Sequence, residues 1–133
     1  MNTILRAFLG RMLGDRGERA AARFLKKTQR MRVLRRGYRT ARGEIDLIAR
    51  DGDALVFVEV KTRRRGEPAE AVTVEKQRRI TLAALHFLKR HNLLEQRCRF
   101  DVVAIVWPDD DIEPTIEHYR NAFEAQGRGQ MFC

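Results

Sequence analysis

The chain has 133 residues, room for one domain, since domains usually run to about 100–150 residues. With 44% hydrophobic and 34% charged residues it is not disordered in composition, and no apolar run approaches the ~18–20 residues of a membrane span, which excludes a helical transmembrane protein. Lys and Arg number 27 against 18 Asp and Glu, a net charge of +9 that points to a polyanionic partner, nucleic acid or an anionic membrane surface.

Residues 1–13 carry Ile4, Leu5, Phe8, Leu9, Met12 and Leu13 at helical spacing. Arg6 and Arg11 interrupt the stripe and no small-residue cleavage site follows, so a signal peptide is rejected and a cytoplasmic protein is expected. The stripe is read as an N-terminal extension that packs on the domain or on a partner, a second copy in a homodimer included. Gly14-Asp15-Arg16-Gly17 is expected to break this helix, and a second helix runs from about Gly17 to Thr28 with Ala20, Ala21, Phe24 and Leu25 on one face. The main domain spans residues 14–126 and a flexible tail 127–133.

From residue 31 the pattern changes to strands. Arg32 to Tyr38 is a short strand, Glu44 to Ala49 another, and Ala54 to Lys61 the clearest of all, rich in β-branched and aromatic residues. Asp51-Gly52-Asp53 joins the last two as a hairpin. Thr62 to Ala69 reads as a basic loop, followed by a long helix over about Thr73 to His91 with a stripe at Ile80, Ala83, Ala84, Phe87 and Leu88. Arg99 to Trp107 is a near-continuous apolar strand, suited to the centre of a sheet. Pro108 to Pro114 is an acidic turn, Thr115 to His118 a short edge strand and Tyr119 to Ala125 a terminal helical turn. The order α-α-β-β-β-α-β-β-α predicts an α/β mixed sheet flanked by helices. Cys98 and Cys133 make no disulfide framework: Cys98 reads as a small buried residue and Cys133 as part of a frayed tail.

Asp46, Glu59 and Lys61 are charges inside apolar strands, where each must be paired or bound to metal. Side chains alternate along a strand, so Glu59 and Lys61 share a face. In the hairpin, a two-residue Asp51-Gly52 loop would set Asp46 opposite Phe57, and a four-residue Asp51-to-Ala54 loop would set Asp46 opposite Glu59. Either register leaves the two acids on one face, diagonal or opposed. Two such carboxylates repel unless a cation lies between them, and hard oxygen ligands on rigid strands suit Mg²⁺ or Mn²⁺. A lysine beside them can orient water or neutralise charge on a phosphoryl group, which is the equipment of phosphodiester hydrolysis. The plain alternative is a set of structural ion pairs at a sheet end.

Gly43-Glu44-Ile45-Asp46-Leu47-Ile48-Ala49 followed by Val56-Phe57-Val58-Glu59-Val60-Lys61 resembles the PD-(D/E)xK nuclease superfamily. With Gly17-Glu18-Arg19-Ala20-Ala21, Arg99-Phe100-Asp101-Val102-Val103 and the stretch from Ile116 to Phe123, the chain resembles the bacterial YraN family of that superfamily over roughly residues 14–123. By architecture it is similar to archaeal Holliday-junction resolvases. The resemblance implies a restriction endonuclease-like fold. It also implies Asp46 and Glu59 as metal ligands with the Val60 carbonyl as a third, Lys61 as the catalytic lysine, Glu18 as a helical acid reaching the site, and Gln77 as a nearby polar group. Ile45 stands where the nominal motif has proline.

The function expected is a Mg²⁺- or Mn²⁺-dependent nuclease on DNA, with branched or repair intermediates as substrate; the rival is a non-catalytic nucleic-acid-binding accessory of the same fold. Arg63, Arg64 and Arg65 lie at the mouth of the candidate site and are read as phosphate contacts, as are Lys76 and Arg79 at the start of the long helix. Arg35, Arg36, Arg39 and Arg42 extend the basic surface. His86 and His91 do not share a helix face well, His118 reads as structural or exposed, Asp109-Asp110-Asp111 as a solvated turn, and Tyr38 and Trp107 as core.

Overall fold

The computed structural model describes residues 2–109, 113–127 and 133, and the side chains of residues 6–13 lie outside that description. The elements run α1 (Thr3–Lys27), β1 (Arg32–Arg39), β2 (Glu44–Asp51), β3 (Ala54–Arg64), α2 (Val74–Arg90), β4 (Cys98–Trp107) and β5 (Thr115–Phe123). They form the expected α/β architecture, one five-stranded mixed sheet between helices, in the order β1-β2-β3-β4-β5. Pairing is antiparallel except between β3 and β4, which are parallel. A parallel pair needs a crossover, and α2 supplies it.

Alternation along β2, β3 and β4 divides the core into two layers. On one face Ile48, Leu55, Phe57 and Phe100 pack under Ile80, Ala83, Ala84, Phe87 and Leu88 of α2, the stripe read from the sequence. On the other, Leu47, Ala49, Val56, Val58, Val103 and Ile105 meet Ala21 and Leu25 of α1. Tyr38 and Trp107 are core residues, as read. Thr73 caps α2 by accepting the Lys76 N–H at 3.1 Å.

Three elements differ from the sequence reading. The break at Gly14–Gly17 is absent, and α1 continues as one helix of 25 residues. Glycine inside a helix costs only about 1 kcal/mol, and Gly17 is buried where α1 crosses β3: a Cβ there would lie 2.1 Å from the Thr62 Cγ2. The missing side chain is what lets the helix backbone come down on the strand. Ile4 and Leu5, the first residues of the N-terminal stripe, are exposed.

β3 runs on to Arg64, so the basic segment begins as strand and not as loop; residues Lys61 to Arg64 are held by pairing to Ala104 through Trp107 of β4. The chain from Tyr119 to Phe123 is strand, not helical turn. Pairing with β4 overrides its local pattern: the ladder shifts between Phe100 and Val102, Asn121 takes φ +51°, and its N–H donates to the buried Asp101 Oδ1 at 2.9 Å. The shift brings Phe123 to stack on Phe100 with ring centroids 5.0 Å apart. Finally, Cys98 and Cys133 form a disulfide, so the chain end expected to fray is tied at Cys133 to the core beneath α2. The remaining tail residues 128–132 and residues 110–112 of the acidic turn lie outside the described residues.

Candidate active site

The hairpin register is the one that opposes the two acids. Asp51 pairs with Ala54, Arg50 with Leu55 and Leu47 with Val58, and Gly52 takes φ +60°, the sign a type II′ turn requires at its first loop position. Continued by one step, this register sets Asp46 across from Glu59. The regular ladder stops short of that step. There the Asp46 carboxylate turns to the β3 backbone, and its Oδ2 accepts the Val60 N–H at 2.7 Å. For Val60, expected through its carbonyl, the contact shown is therefore this N–H to a ligand-type acid.

Glu59 is only 4% exposed. Burial first, and then the charge of Asp46, push its carboxyl up to about 7, against the opposing pull of Lys76. Glu18, one residue beyond Gly17 on α1, is pushed up to about 7 by burial and then by the charge of Asp46 and a hydrogen bond with it. Asp46 thus lies close to both Glu59 and Glu18, one acid from β3 and one from α1. The close crossing at Gly17 and Thr62 is what carries Glu18 there.

Two lysines flank the acids. Lys61 follows Glu59 by two residues and lines a cleft of about 160 Å³ together with Arg63 and the segment from Glu67 to Glu70. Lys76, expected to contact phosphate, instead reaches back from the first turn of α2 and pairs with Glu59 Oε1 at 3.0 Å. Burial pulls the Lys76 ammonium down, but Glu59, with Asp46 and Glu44 beyond it, outweighs burial and holds it above its ordinary value. Sequence reasoning missed this pairing, although the helix start and the expected face of Glu59 were both legible.

The outer cations divide. Arg63 donates to the Glu67 carbonyl at 2.6 Å, and Arg65 donates its backbone N–H to the Trp107 carbonyl at 2.9 Å. Arg79 pairs with Glu75 one turn earlier at 2.9 Å. The Arg79 backbone packs on Gly43, where a Cβ would sit 2.2 Å from its carbonyl oxygen, so α2 lies directly against the start of β2. Gln77 is occupied structurally: its amide donates to the Val72 carbonyl at 2.9 Å and accepts from Gln126 at 3.1 Å.

Among the described residues, no three His, Cys, Asp or Glu side chains are grouped as a set that could hold a metal ion. The chemistry of the donors is nonetheless that of a hard-cation site, with carboxylate oxygens on rigid strands. Mg²⁺ is usually held by one or two carboxylates plus substrate phosphates rather than by a full protein cage. Burial first, and the Asp46 charge second, raise Glu18 and Glu59, so ionising them there carries a cost that a bound cation would offset. Asp46 and Glu59 fit as the two carboxylates.

A second polar cluster lies under α1. Arg99 donates to the buried Asp101 at 2.9 Å and to Asp51 at 2.9 Å, while His118, itself buried, meets Asp101 at 2.8 Å. The sequence signalled it only through an acid within the apolar run of β4. It ties β4, β5 and the β2–β3 hairpin together. Tyr38 likewise meets His86 Nδ1 at 2.6 Å, so that histidine serves the α2 layer.

Comparison with known proteins adds the following. The uncharacterised protein family UPF0102 matches residues 17–105. A UPF0102 protein of Rhodopirellula baltica is 50% identical over 121 residues, covering 86% of this chain and 72% of the relative. One of Geobacter sulfurreducens is 50% identical over 117 residues, covering 86% and 90%, and one of Rhodococcus opacus 52% identical over 114 residues, covering 84% and 95%. No helix among the described residues is long and apolar enough to cross a membrane.

Proposed function

This chain belongs to the uncharacterised protein family UPF0102, and for this member of it we propose a metal-dependent nuclease of the PD-(D/E)xK kind, acting on DNA of branched or otherwise irregular structure. The observation that carries the reading is the nearness of Asp46 to both Glu59 and Glu18, with Lys61 two residues beyond Glu59 on the same strand and Arg63, Arg64 and Arg65 following it. It rests also on the resemblance of the β2–β3 motifs to that superfamily and, through it, to archaeal junction resolvases.

Asp46 and Glu59 would hold Mg²⁺ or Mn²⁺. When bound, the cation supplies positive charge to the scissile phosphate and acidifies nearby water. The Val60 N–H fixes the Asp46 carboxylate against β3, so its free oxygen has a set direction. Lys61 donates to the attacking water or to a phosphate oxygen and offsets the charge that builds there. Glu18, held near neutrality, can keep or pass a proton at its carboxyl beside Asp46. Arg63, Arg64 and Arg65 hold the flanking phosphates, which positions the strand without reading its sequence.

The Lys76–Glu59 ion pair favours a second reading, a nucleic-acid-binding accessory in which an ammonium permanently neutralises the acid. Purified protein incubated with Mg²⁺ or Mn²⁺ and branched, nicked and single-stranded DNA separates the two. The nuclease reading expects cleavage that Asp46→Ala and Lys61→Ala each reduce by at least about 10²-fold. Cleavage indifferent to both substitutions refutes the mechanism; salt-sensitive binding with no cleavage leaves the accessory.

A further inference from the structure

Arg19, Arg23 and Lys27 succeed one another at four-residue spacing on α1, and all three are exposed. That spacing places them on one face of the helix, about 5–6 Å apart and spanning about 12 Å. Among the described residues no carboxylate pairs with any of them. They form one wall of a groove of about 490 Å³ whose other side is built by Trp107, Pro114 and Ile116; among the described residues Glu113 is the one acid that lines it. The guanidinium of Arg16 lies over the Trp107 ring, 4.0 Å from its centroid, at the end of the groove nearest Gly17.

The groove lies beside the last residues of β3. Arg64 is the register partner of Trp107, and Arg65 is bonded to the Trp107 carbonyl, so the basic end of β3 passes from Lys61 directly to the groove floor. A cleft of this size holds a short stretch of a chain and not a whole duplex. Cations along one wall suit the phosphates of a single strand, and Trp107, buried beneath Arg16, lies close enough to sense what binds there.

We infer that this groove holds a single nucleic-acid strand by its phosphates, running from the β3 basic end along α1 toward Lys27. The inference rests on the nucleic-acid reading above and narrows its substrate to one with an unpaired arm, such as a flap or a frayed junction. The duplex part of the substrate then lies at the Lys61 side, and the unpaired arm crosses the ends of β3 and β4 to the opposite face.

Trp107 is the only tryptophan of the chain and reports on the groove directly. Oligothymidylate of about 12 nucleotides is titrated into the whole protein in EDTA, with Trp107 emission and the anisotropy of a labelled strand followed together. Wild type is expected to show a saturable emission change. Arg19→Glu/Arg23→Glu is expected to weaken strand binding at least tenfold and to lower the log–log salt slope by about 1.4, the contribution of two phosphate contacts on a single strand. Blunt duplex binding should stay close to wild type. The milder Arg19→Gln/Arg23→Gln pair should lose part of the affinity while melting as wild type does, which separates the effect from misfolding. Strand binding unchanged by either pair, or binding seen by anisotropy with no response from Trp107, overturns the inference. Cleavage is scored separately with metal: strand binding lost in the variants while wild type never cleaves sinks the nuclease and leaves the groove, and cleavage with no groove effect does the reverse.

Discussion

Gly17→Ala tests the contact on which the position of Glu18 depends. The added methyl would sit 2.1 Å from the Thr62 Cγ2, far inside the ~3.5–4.0 Å of an ordinary carbon contact. Thr62 is β-branched and lies on a strand paired on its β4 side to Ile105, so it has little freedom to turn away. Overpacking of this kind costs about 1–3 kcal/mol. The helix itself favours alanine over glycine by about 1 kcal/mol, which works in the opposite direction. The net expectation is a loss of about 0–2 kcal/mol. Thr62→Ala removes the Cγ2 and leaves the Cβ at 3.4 Å, an ordinary contact, so in that background Gly17→Ala should be neutral or stabilising. Urea unfolding of the four proteins gives the coupling energy, expected at about 1–3 kcal/mol for groups in direct contact. If Gly17→Ala stabilises wild type as much as it stabilises Thr62→Ala, α1 does not rest on β3 as described. Glu18 would then have no fixed path to Asp46.

Two further expectations concern acid groups. Glu59 moves from its ordinary 4.5 to about 7, so the folded protein binds the extra proton between those values and its stability falls as pH rises across that window; the size is about 3 kcal/mol. In EDTA, Glu59→Gln should therefore flatten the pH dependence of the melting temperature between pH 4.5 and 7.5, and an unchanged slope would contradict the burial of that carboxylate. Asp51 shifts the other way, held below its ordinary 3.8 by its hydrogen bond with Arg99, with Arg120 adding to the pull. Its contribution is complete above that ordinary value and disappears as pH falls through the lowered one. Asp51→Asn should lose stability at neutral pH and converge with wild type in strong acid, as acid titration followed by circular dichroism would show.

The sequence carried the middle of the molecule well, because there local pattern and tertiary demand agree. The α2 stripe from Ile80 to Leu88, the β-branched run of β3 and the Gly52 turn each have a single good solution, and one of the two candidate registers proved right. The same arithmetic put Asp46 and Glu59 together. Elements at the two ends were misread because distant partners decide them. Gly17 looks like a break until Thr62 is placed beneath it, and the residues from Tyr119 onward become strand only because the β4 edge and the Asp101 carboxylate receive them. The pairing of Lys76 was not legible for a related reason. The lysine's charge was visible, but its choice between an outside phosphate and the buried Glu59 depends on where α2 comes to rest.

The sheet is laid down in the order in which the chain is written, β1 to β5 without an inserted strand. Each new strand docks on the edge its predecessor has just presented, so no strand waits for a template made later. Only the step from β3 to β4 requires a long loop to close, and α2 shortens that search by folding locally. All the acids and lysines of the candidate centre lie between Glu18 and Lys76, so a nascent polypeptide has synthesised the complete chemical apparatus before the strands that shield its floor emerge. The later half of the chain acts as scaffold for chemistry already encoded.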